Sequence, residues 1–207
     1  MSEYNREQIQ TLSWIKDKIE KMDPSEVERL KASCESYLRF RFDLDRFLSR
    51  YFSDLCSRQC FEQRLSACCS REGIITFFAD MVINILNSDT TEIDHLNDAL
   101  NGEGRAHKCI YLGENGCLWR IRPIICAMFL CDRAKNSVFE KHPEAKAEWE
   151  VLEKRRKTFT WPDQPVLFDD LERYFMDAGC TSPLMYLHNS PGLLRVKKMA
   201  KKGRSGI

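Results

Sequence analysis

The chain has 207 residues, of which 43% are hydrophobic and 30% charged, and a formal net charge of +1. That balance excludes a disordered chain, and the near-zero charge gives the molecule as a whole no pull toward nucleic acid or acidic membranes. A chain of this length buries roughly 70% of its unfolded surface, so a single domain is the default and metal is not needed merely to build a core.

The opening MSEYNREQIQ is polar and has no apolar stretch of the kind a secretory signal carries. The apolar runs at 74–78 and 81–86 are interrupted by Asp80 and Asn84, far short of the roughly 18–20 residues a spanning helix requires. The expectation is a soluble, cytoplasmic protein without a transmembrane segment.

In chain order, Ile9, Leu12, Ile15, Ile19 and Met22 recur at helical steps and predict a first amphipathic helix. Asp23-Pro24-Ser25-Glu26 is a helix start, with Asp at the N-cap and Pro in the first turn. Val27, Leu30, Cys34, Tyr37 and Leu38, then Leu44, Phe47, Leu48, Tyr51 and Leu55, extend one stripe that runs directly into Cys56. Gly73-Ile-Ile-Thr76 predicts a short extended piece, followed by a helix that turns Phe78, Val82 and Ile85 inward. Asp89-Thr-Thr-Glu92 is a second capping signal, for a helix ending at Asn101-Gly-Glu-Gly104. Segments 108–112 and 117–119 flank Gly-Glu-Asn-Gly and predict a small β-hairpin. His142-Pro143-Glu144 opens a helix bearing Ala145, Trp149, Leu152 and Arg156. Trp161-Pro-Asp-Gln-Pro165 is a loop, and Leu167, Leu171 and Phe175 mark a last helix closed by Gly179.

Ten cysteines demand an explanation, and eight of them lie between positions 56 and 131. Their spacing is Cys56-x3-Cys60-x7-Cys68-Cys69, then Cys109-x7-Cys117-x8-Cys126-x4-Cys131. In a reducing compartment such a density points to metal before disulfide. Zinc takes four thiolate or imidazole ligands, and iron–sulfur clusters are usually held by four cysteines, so the set fills two four-ligand sites or one site with spares. The side chains of the vicinal pair Cys68-Cys69 diverge, which lets its members serve different metals or different edges of one cluster. Cys34 falls on an apolar helix face and reads as core. Cys180 follows a helix-ending glycine and stays open as a distant ligand.

The run Cys117-Leu-Trp-Arg-Ile-Arg-Pro-Ile-Ile-Cys126 is preceded by Cys109-Ile-Tyr-Leu and followed by Cys131-Asp-Arg-Ala-Lys. It resembles the YkgJ-type cysteine-cluster family, a zinc- or iron-chelating domain with the pattern C-x-x-C-x-x-C-C, then C-x-[FY]-L and C-x-I-Y-x-x-R-P-x-x-C. The resemblance covers about 56–135, under half of the chain. Two departures stand out: the stretched first part, which bears on Cys56 and Cys60, and Leu118-Trp119 in place of Ile-Tyr. The resemblance carries over most directly to Cys68, Cys69, Cys109, Cys117 and Cys126. It implies metal binding without defining a reaction. Flagellin lysine methylases look similar in their cysteine cluster, which keeps an enzyme reading open.

Arg122-Pro123 has a physical reading of its own. Proline fixes φ and starts the turn that presents Cys126, while Arg122 is placed to touch the bound group. It would donate to thiolate sulfurs or offset their negative charge, with Arg120 and Lys108 as neighbours in that role.

Of the four histidines, His107 lies two residues before Cys109 and stays open as a ligand. Asp169-Asp170 read as a helix cap. No phosphate loop or dinucleotide fingerprint is present; Gly102-Glu-Gly104 is a lone G-x-G after a helix. The basic tail Arg195-Val-Lys-Lys-Met-Ala-Lys-Lys-Gly-Arg204 reads as a solvated end, with nucleic acid or an anionic surface as the competing partner; a protein partner is undefined.

The sequence thus predicts a mainly α fold, with helices flanking an irregular cysteine-rich metal-binding segment and one small β-hairpin. Its regions are an N-terminal helical region at 1–55, the cysteine cluster at 56–135, a C-terminal helical region at 136–190 and the basic tail at 191–207, all in one globular domain. The predicted function is metal binding through Cys56, Cys60, Cys68, Cys69, Cys109, Cys117, Cys126 and Cys131. An iron–sulfur cluster ranks ahead of zinc, because thiols are in excess and histidine ligands are not interleaved with them. The alternatives are an iron–sulfur enzyme, such as a protein methyltransferase, and a zinc-stabilised interaction or nucleic-acid-binding module. No acid, base or cofactor motif accompanies the cluster, so closed structural sites are favoured over an open working one.

Overall fold

The computed structural model describes residues 2–70, 74–102, 107–160 and 166–185. The loop predicted at 161–165, the end of the segment after Asn101 at 103–106, His188 and the basic tail lie outside the described residues. Among the described residues the fold is mainly helical with one two-stranded antiparallel hairpin, and no helix is long and apolar enough to cross a membrane.

Helix α1 spans Glu3–Glu20 and begins where the Ser2 side chain accepts the Asn5 N–H at 3.1 Å. The predicted stripe faces the core, with Leu12 and Ile15 buried and Ile9, Ile19 and Met22 packed against it, and the face is widened by two polar side chains, Gln8 and Thr11, that also go inward. Both are used: Gln8 accepts the Tyr111 hydroxyl at 3.2 Å, and Thr11 meets Ser182 at 2.7 Å.

Helix α2 spans Pro24–Ser53, with Asp23 as its cap accepting the Ser25 N–H at 2.8 Å. Thirty residues make a rod of about 45 Å. Its inner face buries Leu30, Cys34, Tyr37, Phe40, Leu44, Phe47 and Phe52, and with them Arg41. Burial of each large apolar side chain contributes roughly 1.5–3 kcal/mol. Tyr37 and Phe40 pack on Phe159, and Phe47 packs on Trp149, which fixes α2 against a later helix. The rod continues as one wider helical segment, Asp54–Phe61, with π-type hydrogen bonding.

Helix α3, Phe78–Asn87, is the hub. Its residues from Phe78 to Leu86 are all buried, and it packs on α1, on α2 and on the last helix. Helix α4, Thr90–Asn101, carries the predicted capping box: Asp89 accepts the Glu92 N–H at 2.9 Å, and Glu92 accepts the Asp89 N–H at 3.0 Å. The hairpin is shorter than predicted. Strand β1 is Leu112–Gly113 and β2 is Gly116–Cys117, with Leu112 opposite Cys117 and Gly116 at φ 119° in the turn.

A single turn, α5 (Ile124–Ala127), precedes α6 (Asp132–Lys141), α7 (Pro143–Thr160) and α8 (Leu167–Asp177). Gly179, at φ 88°, closes α8 as predicted. Asp169 and Asp170 lie in the first turn of α8, where a carboxylate favours the helix dipole, but Val166 holds the N-cap position and supplies no side-chain cap. The predicted cap is corrected on that point.

The cysteine segment is also less irregular than expected. Cys56 and Cys60 sit on the π-helical continuation of α2, Cys126 on α5, and Cys131 is the residue before α6. The apolar stripe of α2 keeps its helix going past Ser53, and this carries the first two cysteines with it.

Candidate metal centre

Eight thiols line one cavity of about 530 Å³: Cys56, Cys60, Cys68, Cys69, Cys109, Cys117, Cys126 and Cys131. Cys34 and Cys180 are elsewhere, each buried in the apolar core. Burial pushes the Cys34 thiol up and that of Cys180 to about 12, as for inert core cysteines. His107 is exposed and does not line the cavity, and its wall contains no histidine and no carboxylate among the described residues.

Each pair of cysteines has its own local device. Cys56 and Cys60 are four residues apart on the π-helix. After it the chain reverses through Arg64 and Ser66, whose φ values of 57° and 37° are left-handed. The reversal brings the Ala67 N–H to the Cys60 sulfur at 3.4 Å. Lys108 secures the reversal by donating to the carbonyls of Leu65 and Ser66. Cys69 is tied to the next strand of chain by the Cys109 N–H, which donates to the Cys69 carbonyl at 2.9 Å. The hairpin then returns Cys117 beside Cys109: Leu112 N–H donates to the Cys109 carbonyl at 3.1 Å and faces Cys117 in register. Backbone amides are aimed at sulfur, from Tyr111 to Cys109, from Trp119 to Cys117 and from Ile75 to Cys126. Amide donation to sulfur favours the thiolate.

The 121–124 stretch is held by three buried polar side chains that sequence reasoning passed over. Asn84 accepts the Ile121 N–H at 3.0 Å and donates to the Ile121 carbonyl at 2.6 Å. Asp80 accepts the Ile124 N–H at 3.0 Å, at the very start of the turn that carries Cys126. Arg41 donates to the Arg122 carbonyl at 2.5 Å and to the Tyr37 hydroxyl at 3.2 Å. The signal was present. Asp80 and Asn84 are spaced by one turn in an apolar helix, and Arg41 occupies the same stripe as Tyr37 and Leu44. A polar side chain on a buried face must find a partner, and here the partner is the backbone of the cysteine loop.

The electrostatics follow from burial and from sulfur neighbours. Partial burial pushes the Cys56 and Cys109 thiols up to about 11, with nearby thiols adding to the rise. Burial also raises Cys117 and Cys126. The vicinal pair splits. A hydrogen bond from the Cys69 thiol lowers Cys68, and the same bond raises Cys69. Arg122 lines the cavity, with its guanidinium 3.8 Å from Asp45, and it favours the thiolates of Cys56, Cys68, Cys117 and Cys126. Arg120 also lines the cavity but pairs with Glu92 at 3.1 Å.

Two observations bear on what such a wall fits. The Trp119 indole is 4% exposed and lines the cavity, and its N–H has no acceptor among the described residues. A bound group with sulfur or oxygen acceptors would satisfy it. Among the described residues no three His, Cys, Asp or Glu side chains stand as closely as one bare metal ion requires. The thiols surround a volume instead. A single tetrathiolate zinc, with zinc–sulfur bonds of about 2.3 Å, occupies a sphere of roughly 50 Å³, about a tenth of this cavity. All-sulfur donors, an orphan N–H and excess volume fit a multi-atom thiophilic group better than one bare ion.

No family model matches the chain, and neither a curated protein nor a solved structure does.

Proposed function

We propose that this chain is a cysteine-cluster metalloprotein whose cavity holds a thiolate-ligated group, with an iron–sulfur cluster ahead of zinc. The observation that carries the reading is that eight cysteines drawn from 76 residues of sequence line a single cavity, while the remaining two are packed in the core. Random burial of small apolar residues does not sort thiols in this way. The all-sulfur wall is the donor set of soft metals. The resemblance of the 109–131 segment to the YkgJ-type family points in the same direction.

The ligands in this proposal are the eight cavity cysteines. Arg122 and the sulfur-directed amides offset their charge. The bound group would supply Lewis-acid or electron-transfer chemistry, and the chain's own residues hold it, exclude water on the Trp119 side and compensate its negative charge. An enzyme reading, with methyl transfer to a protein among its forms, gains from the excess volume and from the exposed apolar side chains Leu65 and Phe129 at the wall.

The test is ligand replacement. Cys69→Ser, Cys117→Ser and Cys126→Ser should each lower the metal content of the purified protein and open the 109–131 segment to proteolysis, since metal binding and local folding are coupled. Full metal content in all three would defeat the proposal.

A further inference from the structure

We propose that the groove between α2 and α7 is a docking site for an acidic amphipathic helix of a partner protein. None of its residues belongs to the cysteine cavity.

Two adjoining hollows, of about 490 and 620 Å³, lie along the α2–α7 seam and share Asp43 and Arg155. The Arg155 guanidinium bridges the two helices, donating to Asp43 at 2.7 Å. On the α2 side, Arg39, Phe42, Arg46 and Arg50 follow one another at three- and four-residue steps, which sets them in a row about 16 Å long. The α7 side supplies Val151 and Leu152, and Phe47 joins them from α2. Phe42 and Val151 are the exposed large apolar side chains of these two helices, at 64% and 55%. Both line the groove and are rimmed by charge, which is the pattern of a contact surface rather than of scattered exposed hydrophobes.

Charge selects the occupant. The lining holds four arginines against two carboxylates, Asp43 and Glu148. Asp43 is taken by Arg155, and Glu148 lies beside the Tyr51 hydroxyl. Arg39, Arg46 and Arg50 are exposed and form no ion pair among the described residues. Arg46 and Arg50 are instead steadied over aromatic rings, at 5.8 Å from the Phe42 centroid and 4.8 Å from that of Tyr51. A guanidinium held in this way loses less freedom when it binds a carboxylate. Carboxylates spaced by seven and four residues along a helix meet the three arginines, and an aliphatic row beside them covers Phe42 and Val151. The chain's own basic tail at 195–204 carries the wrong sign and is repelled. A nucleic acid fits less well, because two carboxylates would face its phosphates and one face of each ring that could stack a base is already covered by a guanidinium.

The experiment screens a displayed library of helical peptides, randomised along one face, against the reduced full-length chain, and measures the recovered peptides by fluorescence anisotropy. They should carry Asp or Glu beside an aliphatic row and bind more weakly as salt rises. Phe42→Ala and the combination Arg39→Ala/Arg46→Ala/Arg50→Ala should each weaken binding by about tenfold or more. Val151→Ser, on the other helix, is an independent variant with the same expectation, and circular dichroism checks that each variant keeps its fold. Recovered peptides that are basic or uncharged, or whose binding ignores these substitutions, overturn the proposal, as does a screen that yields no binder. Oligothymidylate binding that the same substitutions abolish gives the groove to a nucleic acid, and self-association abolished by Phe42→Ala gives it to a second copy of the chain; either result overturns the proposal as well.

Discussion

Asn84→Leu removes a two-bond buried link between the helical hub and the cysteine loop while keeping the number and branching of side-chain heavy atoms. In the native chain Asn84 satisfies both the N–H and the carbonyl of Ile121, at 3.0 and 2.6 Å. Each polar group left without a partner costs about 1–3 kcal/mol. Ile121 is only half-buried, so water recovers part of this, and two groups together cost about 2–4 kcal/mol. The new leucine returns about 1 kcal/mol through added apolar burial. The net loss is about 1–3 kcal/mol, which for a chain of this size lowers Tm by roughly 2–12 °C. Thermal unfolding of the metal-free variant, followed by circular dichroism, measures it. The consequence for the site is separate. Segment 121–124 carries Arg122 and leads into Cys126, so loosening it should reduce metal content although no ligand has changed. A Tm within 1 °C of wild type together with full metal content would refute the role given to this clamp.

Further expectations follow from the same geometry. Cys34→Ser should cost about 1–2 kcal/mol of stability and leave the metal content intact, because Cys34 is a core position; metal loss in that variant would contradict the assignment. Metal affinity should rise with pH by up to about tenfold per pH unit for each proton displaced, because burial holds the Cys56, Cys109, Cys117 and Cys126 thiols above their ordinary value; a flat titration from pH 6.5 to roughly 8.5 would contradict it. Asp80 is raised from 3.8 to about 7, mainly by burial, so its folded form keeps a proton that the unfolded chain has lost. The stability this contributes is complete below about pH 4 and is lost as pH rises toward 7. Asp80→Asn should therefore show a shallower decline across that window in urea titrations, and an unchanged slope would count against the shift.

Much of the helical scaffold was legible because its signals are local. Asp23-Pro24 and Asp89-x-x-Glu92 announce helix starts through side chain–backbone bonds that span only two or three residues. The hairpin followed from Gly-Glu-Asn-Gly, and Gly179 from the left-handed φ that closes α8. The eight cavity cysteines were legible as a set from spacing alone. What failed was whatever depended on tertiary contacts. The polar part of the α1 face, Gln8 and Thr11, is buried because its partners, Tyr111 and Ser182, come from 103 and 171 residues away in sequence. The stripe that reaches Leu55 marked the helical run into Cys56, but the π-type hydrogen bonding through Cys56 and Cys60 has no local mark. The clamp formed by Arg41, Asp80 and Asn84 was visible only as three polar residues out of place on apolar faces.

The central claim is that the cysteine-lined cavity carries a thiolate-bound metal group. Anaerobic purification followed by a visible spectrum, with iron, zinc and acid-labile sulfide measured on the same sample, tests it most directly. The account predicts a brown protein with iron and sulfide in equal amounts, and a loss of both in Cys126→Ser. A colourless protein with stoichiometric zinc would keep the ligand set and overturn the iron–sulfur assignment. A protein with neither metal, whose eight cavity thiols all react freely with a thiol reagent after anaerobic purification, would contradict the account itself.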